Sequence, residues 1–380
     1  DLHSFPTRRS SDLEPEQQAT FYNSQLSGQA GETNVGPESS NWAYSQTKFE
    51  TSPLNRVEES FAPGSSWAGT AADAIEANRR SVKAKYWINT LLDSVRIWNV
   101  TDVAGNFGTY ATPAGSAGIY PAGQLHKSVT VDEHGKQVIE FKDKEGLVIL
   151  KKVQNTALAD VGAGKGHSGW LATYYLYDNL NQLRCVIQPR GTELIASTWI
   201  LTNATYLNEQ CFRYEYDTKN RMIAKKVPGA GRVLMVYDAR DRLVLTQDSL
   251  MRTTAQKKWL YTKYDELNRP IITGLITDAT NYNNVAYHRL RADTSINYPN
   301  TASFTNEELS KTFYDNYDWR TAEGNPLSAT IDNTNNTYLL AASNTTWPYP
   351  QSIIQSARLK GMVTGTDRKS TRLNSSHRTG

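Results

Sequence analysis

Short runs of alternating apolar and polar positions dominate this 380-residue chain. Val82, Ala84, Tyr86 and Ile88 are separated by polar neighbours, and Val95 and Ile97, with Trp98, follow. A period of two puts such residues on one face of an extended strand, so the spacing predicts a pair of half-buried strands. From Leu125 onward alternating segments recur, among them Trp170 to Tyr177, and Met222 to Val227 turned by Pro228-Gly-Ala-Gly231 into Arg232 to Tyr237. The predicted fold is mainly β, made of successive antiparallel β-hairpins with short helices only. Helical periodicity is confined to Thr70–Arg80, whose apolar side is only Ala and Ile75, and to a short piece capped by Thr305 and running through Glu307, Glu308 and Leu309. The Gly-rich stretch from Thr101 to Gly123, with Pro113 and Pro121, reads as loop.

One turn recurs between the alternating segments: Asp132-Glu-His-Gly135, Asp143-Lys-Glu-Gly146, Asp178-Asn-Leu-Asn181, Asp217-Thr-Lys-Asn220, Asp238-Ala-Arg-Asp241 and Asp265-Glu-Leu-Asn268. Asp stands first each time, and Gly, Asn or Asp three residues later. A four-residue hairpin loop asks for that pair. The leading carboxylate caps backbone N–H groups, and the fourth position needs φ > 0, which only those residue types enter at low cost.

The flanks repeat as well. Four turns are entered through aromatic residues: Tyr175-Leu-Tyr177, Tyr214-Glu-Tyr216, Met235-Val-Tyr237 and Tyr261-Thr-Lys-Tyr264. Three leave through arginine, at Arg221, Arg242 and Arg269. Residues two apart share a strand face, so Tyr175 lies beside Tyr177 and Tyr214 beside Tyr216. The exit arginine then comes within reach of the turn Asp or of a neighbouring ring.

The tracts YLYDNLNQL, YEYDTKNRM, MVYDARDRL and YTKYDELNRP resemble the tyrosine-aspartate repeats of bacterial RHS/YD-repeat proteins. The resemblance is specific over 126–290 and extends to about 40–125 and 290–366. Departures are visible: Asn or Asp often replaces the family's Gly, Asp143 lacks the aromatic approach, and Asp178 exits through Gln182-Leu183. The resemblance implies a spiralling sheet that closes into a hollow shell around a C-terminal toxic domain, with a self-cleaving core absent from these residues. It further implies an exported or cell-surface, non-enzymatic wall whose partners are the rest of its own longer chain and, as an alternative, a target-cell surface, carbohydrate or protein. The expected organisation is a β-rich region over 14–125, the repeat array over 126–290, and a further region over 291–366 with a degenerate repeat at Phe313 to Trp319.

Both ends change the charge picture. Residues 1–13 and 367–380 are Ser/Arg-rich, lack periodicity and look like translated sequencing-adapter sequence, so the chain reads as an internal fragment of a longer gene. The whole chain carries 41 Lys+Arg against 38 Asp+Glu. The ends hold six of the bases and three of the acids, which leaves 35 against 35. A neutral chain gives no reason to expect nucleic acid, and no apolar run approaches the ~18 residues of a membrane span.

Candidate chemistry is sparse. Gly162-Ala-Gly-Lys165-Gly-His167-Ser168-Gly169 fails as a phosphate loop, because Ala159 and Gly166 stand where Gly and Ser/Thr are required. His126, His134, His167 and His288 form no metal-binding spacing, so no metal, cofactor or catalytic residue is expected. Cys185 and Cys211 flank one repeat and are compatible with either a bridge or two buried thiols.

Overall fold

The computed structural model describes residues 45–69, 73–103, 106–156, 163–324, 328–332, 334 and 355–368. Segment 14–44 and almost all of both ends lie outside the described residues. The chain forms two compact units, residues 1–215 with 226–230, and residues 216–225 with 231–380, so the division falls inside the 126–290 array.

The first unit is an antiparallel sheet of β1 (Gln46–Phe49), β2 (Val57–Phe61), β3 (Val82–Ile88), β6 (His126–Val131), β7 (Gln137–Lys142), β8 (Val148–Gln154), β9 (Trp170–Tyr177), β10 (Leu183–Ile187) and β11 (Cys211–Tyr216), neighbouring in that order. A separate hairpin, β4 (Asn99–Thr101) with β5 (Thr109–Ala111), interrupts the stretch expected to be loop. Helices α1 (Pro189–Ile195) and α2 (Ala204–Glu209) follow β10. The period of two sorts the faces. In β7, Gln137, Ile139 and Phe141 are buried between half-buried neighbours, and in β9 Ala172, Tyr174 and Leu176 turn inward while Tyr175 and Tyr177 share the other face. The inward set packs with Val95, Trp98, Tyr110, Leu125, Ile195 and Trp199, each large apolar side chain contributing roughly 1.5–3 kcal/mol by leaving water.

The second unit pairs β12 (Met222–Lys226), β13 (Val233–Tyr237), β14 (Leu243–Gln247), β15 (Lys258–Tyr264), β16 (Pro270–Thr277), β17 (Thr305–Tyr314) and β18 (Val363–Arg368) in chain order, with helix α3 (Val285–Ala292) between β16 and β17. Trp259, Tyr261, Val236, Leu245 and Ile276 are among its most buried apolar residues. Asp367 and Arg368, assigned by sequence to the terminal segment, complete β18 opposite Lys311 and Ser310.

Three local expectations are corrected. Over the described part of Thr70–Arg80 there is only a 3-10 turn, Glu76–Asn78. Asp73 takes the Ile75 N–H and the Asn78 side chain, a local alternative to helix that wins where no apolar stripe docks. Val95 to Trp98 is not a strand but an irregular segment with one bridge, Arg96 to Ile119, because Ser94 at φ 53° ends the preceding turn and redirects the chain. Thr305–Leu309 is strand, not helix: Thr305, Asn306 and Glu307 register with Thr277, Ile276 and Leu275, and pairing along a whole strand outweighs one cap.

Candidate functional site

The six Asp turns have one geometry. In each, the Asp N–H donates to the carbonyl four residues on, and the fourth turn residue donates back to the Asp carbonyl, over 2.8–3.2 Å. Asp Oδ1 accepts the N–H groups two and four residues ahead: for Asp217, from Lys219 at 2.9 Å and Arg221 at 3.0 Å; for Asp265, from Leu267 and Arg269 at 2.9 Å. Asp132, Asp143, Asp178 and Asp238 repeat the pattern. The fourth residue is left-handed throughout: Gly135 at φ 79°, Gly146 at 85°, Asn181 at 59°, Asn220 at 62°, Asp241 at 59° and Asn268 at 63°. Replacing Asn220 by Val is expected to destabilise by about 1–3 kcal/mol, since a β-branched side chain resists that region. An unchanged urea midpoint for Asn220→Val would remove the conformational argument.

The second carboxylate oxygen recruits arginine. Arg221, Arg242 and Arg269 each place Nε 2.7 Å from Oδ2 of Asp217, Asp238 and Asp265. The rest of each guanidinium faces the following hairpin of the second unit. Arg221 Nη1 meets Asp241 Oδ1 at 2.6 Å, and Arg242 Nη1 meets Asn268 Oδ1 at 3.0 Å. The three guanidiniums lie over the rings of Tyr237, Tyr264 and Tyr314, at 5.1, 4.9 and 4.2 Å. Those tyrosines return the contact, their hydroxyls donating to the carbonyls of Met222, Leu243 and Pro270, each one residue past an exit arginine. Asp293, at the end of α3, adds a further acceptor for Arg221 at 3.2 Å.

Asp315 lies in the tract expected to be a degenerate repeat. It sits at φ 70°, where the fourth residue of a turn belongs, and its carboxylate accepts Arg269 Nη1 and Nη2 at 3.0 and 2.6 Å. It therefore receives the preceding arginine, while its own N–H donates to the Met362 carbonyl at 3.1 Å. Arg269 above all, with the Gly361 N–H, holds its carboxyl down to about 2. Asp265 is also lowered: burial pushes it up, but the Arg269 backbone and side-chain hydrogen bonds outweigh that.

In the first unit the ladder is thinner. Asp132 and Asp143 exit through Lys136 and Leu147, and among the described residues no arginine meets their Oδ2. At Asp178, where Gln182 holds the exit position, Arg184 reaches back from two residues further on, 3.0 Å from Oδ2, and also meets Asp102 at 2.7 Å. That replacement was hidden because i+6 on a strand is not a recognised exit, although it lies on the same face as i+4. Tyr177 donates to the Val148 carbonyl as the other tyrosines do. Tyr175, Tyr214 and Tyr216 are half-buried, whereas Tyr261, three residues before Tyr264 and so on the opposite face, is buried under Gly274.

Three buried polar groups, Lys127, Lys152 and His288, and the half-buried His167 take roles that had no sequence signal. Lys127 pairs with Asp93 at 2.6 Å, and both are buried. Lys152 is fully buried and donates to the carbonyls of Asp93, Gly164 and Gly166, so the tract tested as a phosphate loop is held by cations from beneath. His167 is wedged against Trp199 and Tyr174 and bonded to the Tyr174 hydroxyl at 2.8 Å; burial, then Lys152 and Arg96, press its pKa down to about 3. His288 bonds Tyr298 at 2.7 Å with Asp278 3.6 Å beyond. A carboxylate, an imidazole and a hydroxyl stand in line as an acid–base relay would require, but all three are buried. Cys185 and Cys211 are free and buried, and burial pushes the Cys185 thiol well up. Among the described residues no three His, Cys, Asp or Glu side chains converge as a metal requires.

A family model described as a domain of unknown function (DUF6443) matches residues 4–81, ahead of all six turns. No curated protein matches the chain. A structure of a Tc holotoxin pore from Photorhabdus luminescens, carrying a TccC3 mutation, is similar over 70% of this chain and 9% of that one, at 12% identity and a TM-score of 0.38. A crystal structure of TcdB2-TccC3-Cdc42 is similar over 70% of this chain and 11% of that one, at 13% identity and a TM-score of 0.34. The chain thus spans about a tenth of the length of these structures.

Proposed function

We propose that the chain is a non-enzymatic length of wall from an exported or cell-surface RHS/YD-repeat shell, one that encloses or delivers a C-terminal toxic domain. The observation that supports this reading is the way each exit arginine grips its own turn Asp and the next hairpin's turn and ring. Such contacts pass register from one repeat to the next, as a quasi-one-dimensional array requires. They also occupy both oxygens of Asp178, Asp217, Asp238 and Asp265, which suits turn-forming carboxylates and leaves none of them a nucleophile or base. The partners on this reading are the rest of the longer chain and its toxic domain. No helix among the described residues is long and apolar enough to cross a membrane.

Expression of the uninterrupted reading frame tests the proposal. Limited trypsin digestion of the native protein is expected to leave the C-terminal segment intact, and electron micrographs are expected to show hollow particles. A C-terminal segment digested as quickly in the native as in the urea-unfolded protein would overturn the enclosure.

A further inference from the structure

We infer that the first unit carries a strand-addition site for an acidic, extended peptide along the outer edge of Tyr86–Ile88. The inference stands apart from the shell reading, because it rests on a step in the sheet and not on the turn ladder. All six residues from Lys83 to Ile88 register with β6, but β2 registers only with Val82 and Lys83, through Ser60 and Glu59. The sheet narrows here because β2 begins at Val57. Arg56 already belongs to the turn from β1, where its side chain is held by Glu50 through two 2.8 Å bonds. Tyr86, Trp87 and Ile88 are therefore paired on one side, and no described strand covers the other. An uncovered strand edge offers its backbone N–H and C=O groups to another chain.

Side chains beside this edge set the chemistry of what fits. An open groove of about 820 Å³ is lined by Trp87, Ile88 and Leu92 and by the cations Arg56, Lys127 and Lys165, with no carboxylate among the described residues of its wall. Trp87, Ile88 and Leu92 are 40–60% exposed, unusually so for large apolar residues on adjoining segments. Arg56 and Lys127 are fixed by Glu50 and Asp93, whereas Lys165 is exposed and has no partner among the described residues. A sugar is a poorer occupant. Stacking needs a free ring face, but Arg56 already lies 4.5 Å over the Tyr86 ring, and Lys85 and Lys127 lie 5.4 and 5.6 Å from the Trp87 ring. An extended peptide needs no ring face: it takes the backbone edge, places apolar side chains against Ile88 and Leu92, and sets carboxylates toward Lys165.

The test uses the full chain with a fluorescein-labelled peptide of alternating Glu and Val, and its Lys and Val counterpart, followed by anisotropy and by amide hydrogen exchange. The acidic peptide is expected to bind at least about tenfold more tightly than the basic one, and Lys165→Glu to weaken it by about tenfold. Bound peptide is expected to slow exchange at Tyr86 to Ile88. Equal binding of the two peptides, binding of neither, or binding without protection of those amides would each overturn the site. Carbodiimide coupling of Lys165 to a glutamate within residues 14–44 would overturn it too, because the groove would then be filled by the chain itself.

Discussion

Asp238→Ala is expected to lower the stability of the second unit by about 3–5 kcal/mol, more than any other turn substitution. Asp238 is the fully buried member of the series, and Arg242 beside it is 10% exposed. Its carboxylate does three things at once, capping the N–H groups of Arg240 and Arg242 and taking Arg242 Nε at 2.7 Å. Removing it strands a guanidinium whose remaining partners, Asn268 Oδ1 and the Ile296 carbonyl, are neutral. Breaking a buried pair from one side costs that much because the leftover charge stays desolvated. Asp132→Ala loses two backbone caps but strands no guanidinium among the described residues, so about 1 kcal/mol is expected there. The double variant Asp238→Ala with Arg242→Met is expected to recover part of the loss, since it removes the stranded charge. Urea unfolding measures all three, and equal losses for Asp238→Ala and Asp132→Ala would reduce the ladder to ordinary turn capping.

Acidification is expected to weaken the first unit well before its carboxylates titrate. Arg96 donates its N–H to the Tyr174 oxygen at 3.0 Å, which leaves the Tyr174 hydroxyl hydrogen for His167 Nε2. Burial above all, with the nearby charges of Lys152 and Arg96, holds the imidazole neutral, its pKa at about 3 against an ordinary 6.5. Below pH 6.5 the unfolded chain takes up a proton at this histidine and the folded chain does not. Stability is therefore complete above 6.5 and falls as pH drops toward 3, by about 1.4 kcal/mol per pH unit. Lowered carboxyls such as those of Glu50 and Asp315, at about 2, add their own losses only below about 4.5. The interval from pH 6.5 to 4.5 isolates the imidazoles. His288, lowered chiefly by burial, acts in the same direction in the second unit. His167→Gln, which keeps an acceptor for Tyr174, is expected to flatten the slope over that interval. A slope equal to that of the parent chain would show that His167 is not the group responsible.

Local chemistry explains which parts of the structure are readable from residues alone. The turns are readable because an Asp followed at the fourth place by Asn, Asp or Gly combines a side-chain cap with tolerance of φ > 0, both properties of single residues. Strand faces are readable because alternation needs only the pleat. The exchange of Thr305–Leu309 from helix to strand was not readable, since an N-cap signal is local while the edge of β16 that it pairs with lies about thirty residues upstream. Nor was the role of Asp315, which depends on Arg269 arriving from the preceding hairpin. Lys127 and Lys152 read as ordinary surface cations in alternating strands. The carboxylate and carbonyl of Asp93, with the carbonyls of Ala163, Gly164 and Gly166 brought over them by the loop, make their burial tolerable.

The sequence by itself determined a mainly β chain of hairpins, the positions of its six Asp turns and the pairing of tyrosines on common faces, because each follows from backbone sterics within a few residues. Tertiary structure decided which arginine serves which turn, as with Arg184 at Asp178, and which ring each guanidinium covers. It also decided which histidines are kept neutral and that no described strand pairs with the outer side of Tyr86–Ile88. These last are matters of distance between segments far apart in the chain, and desolvation and charge act through that distance and not through sequence separation.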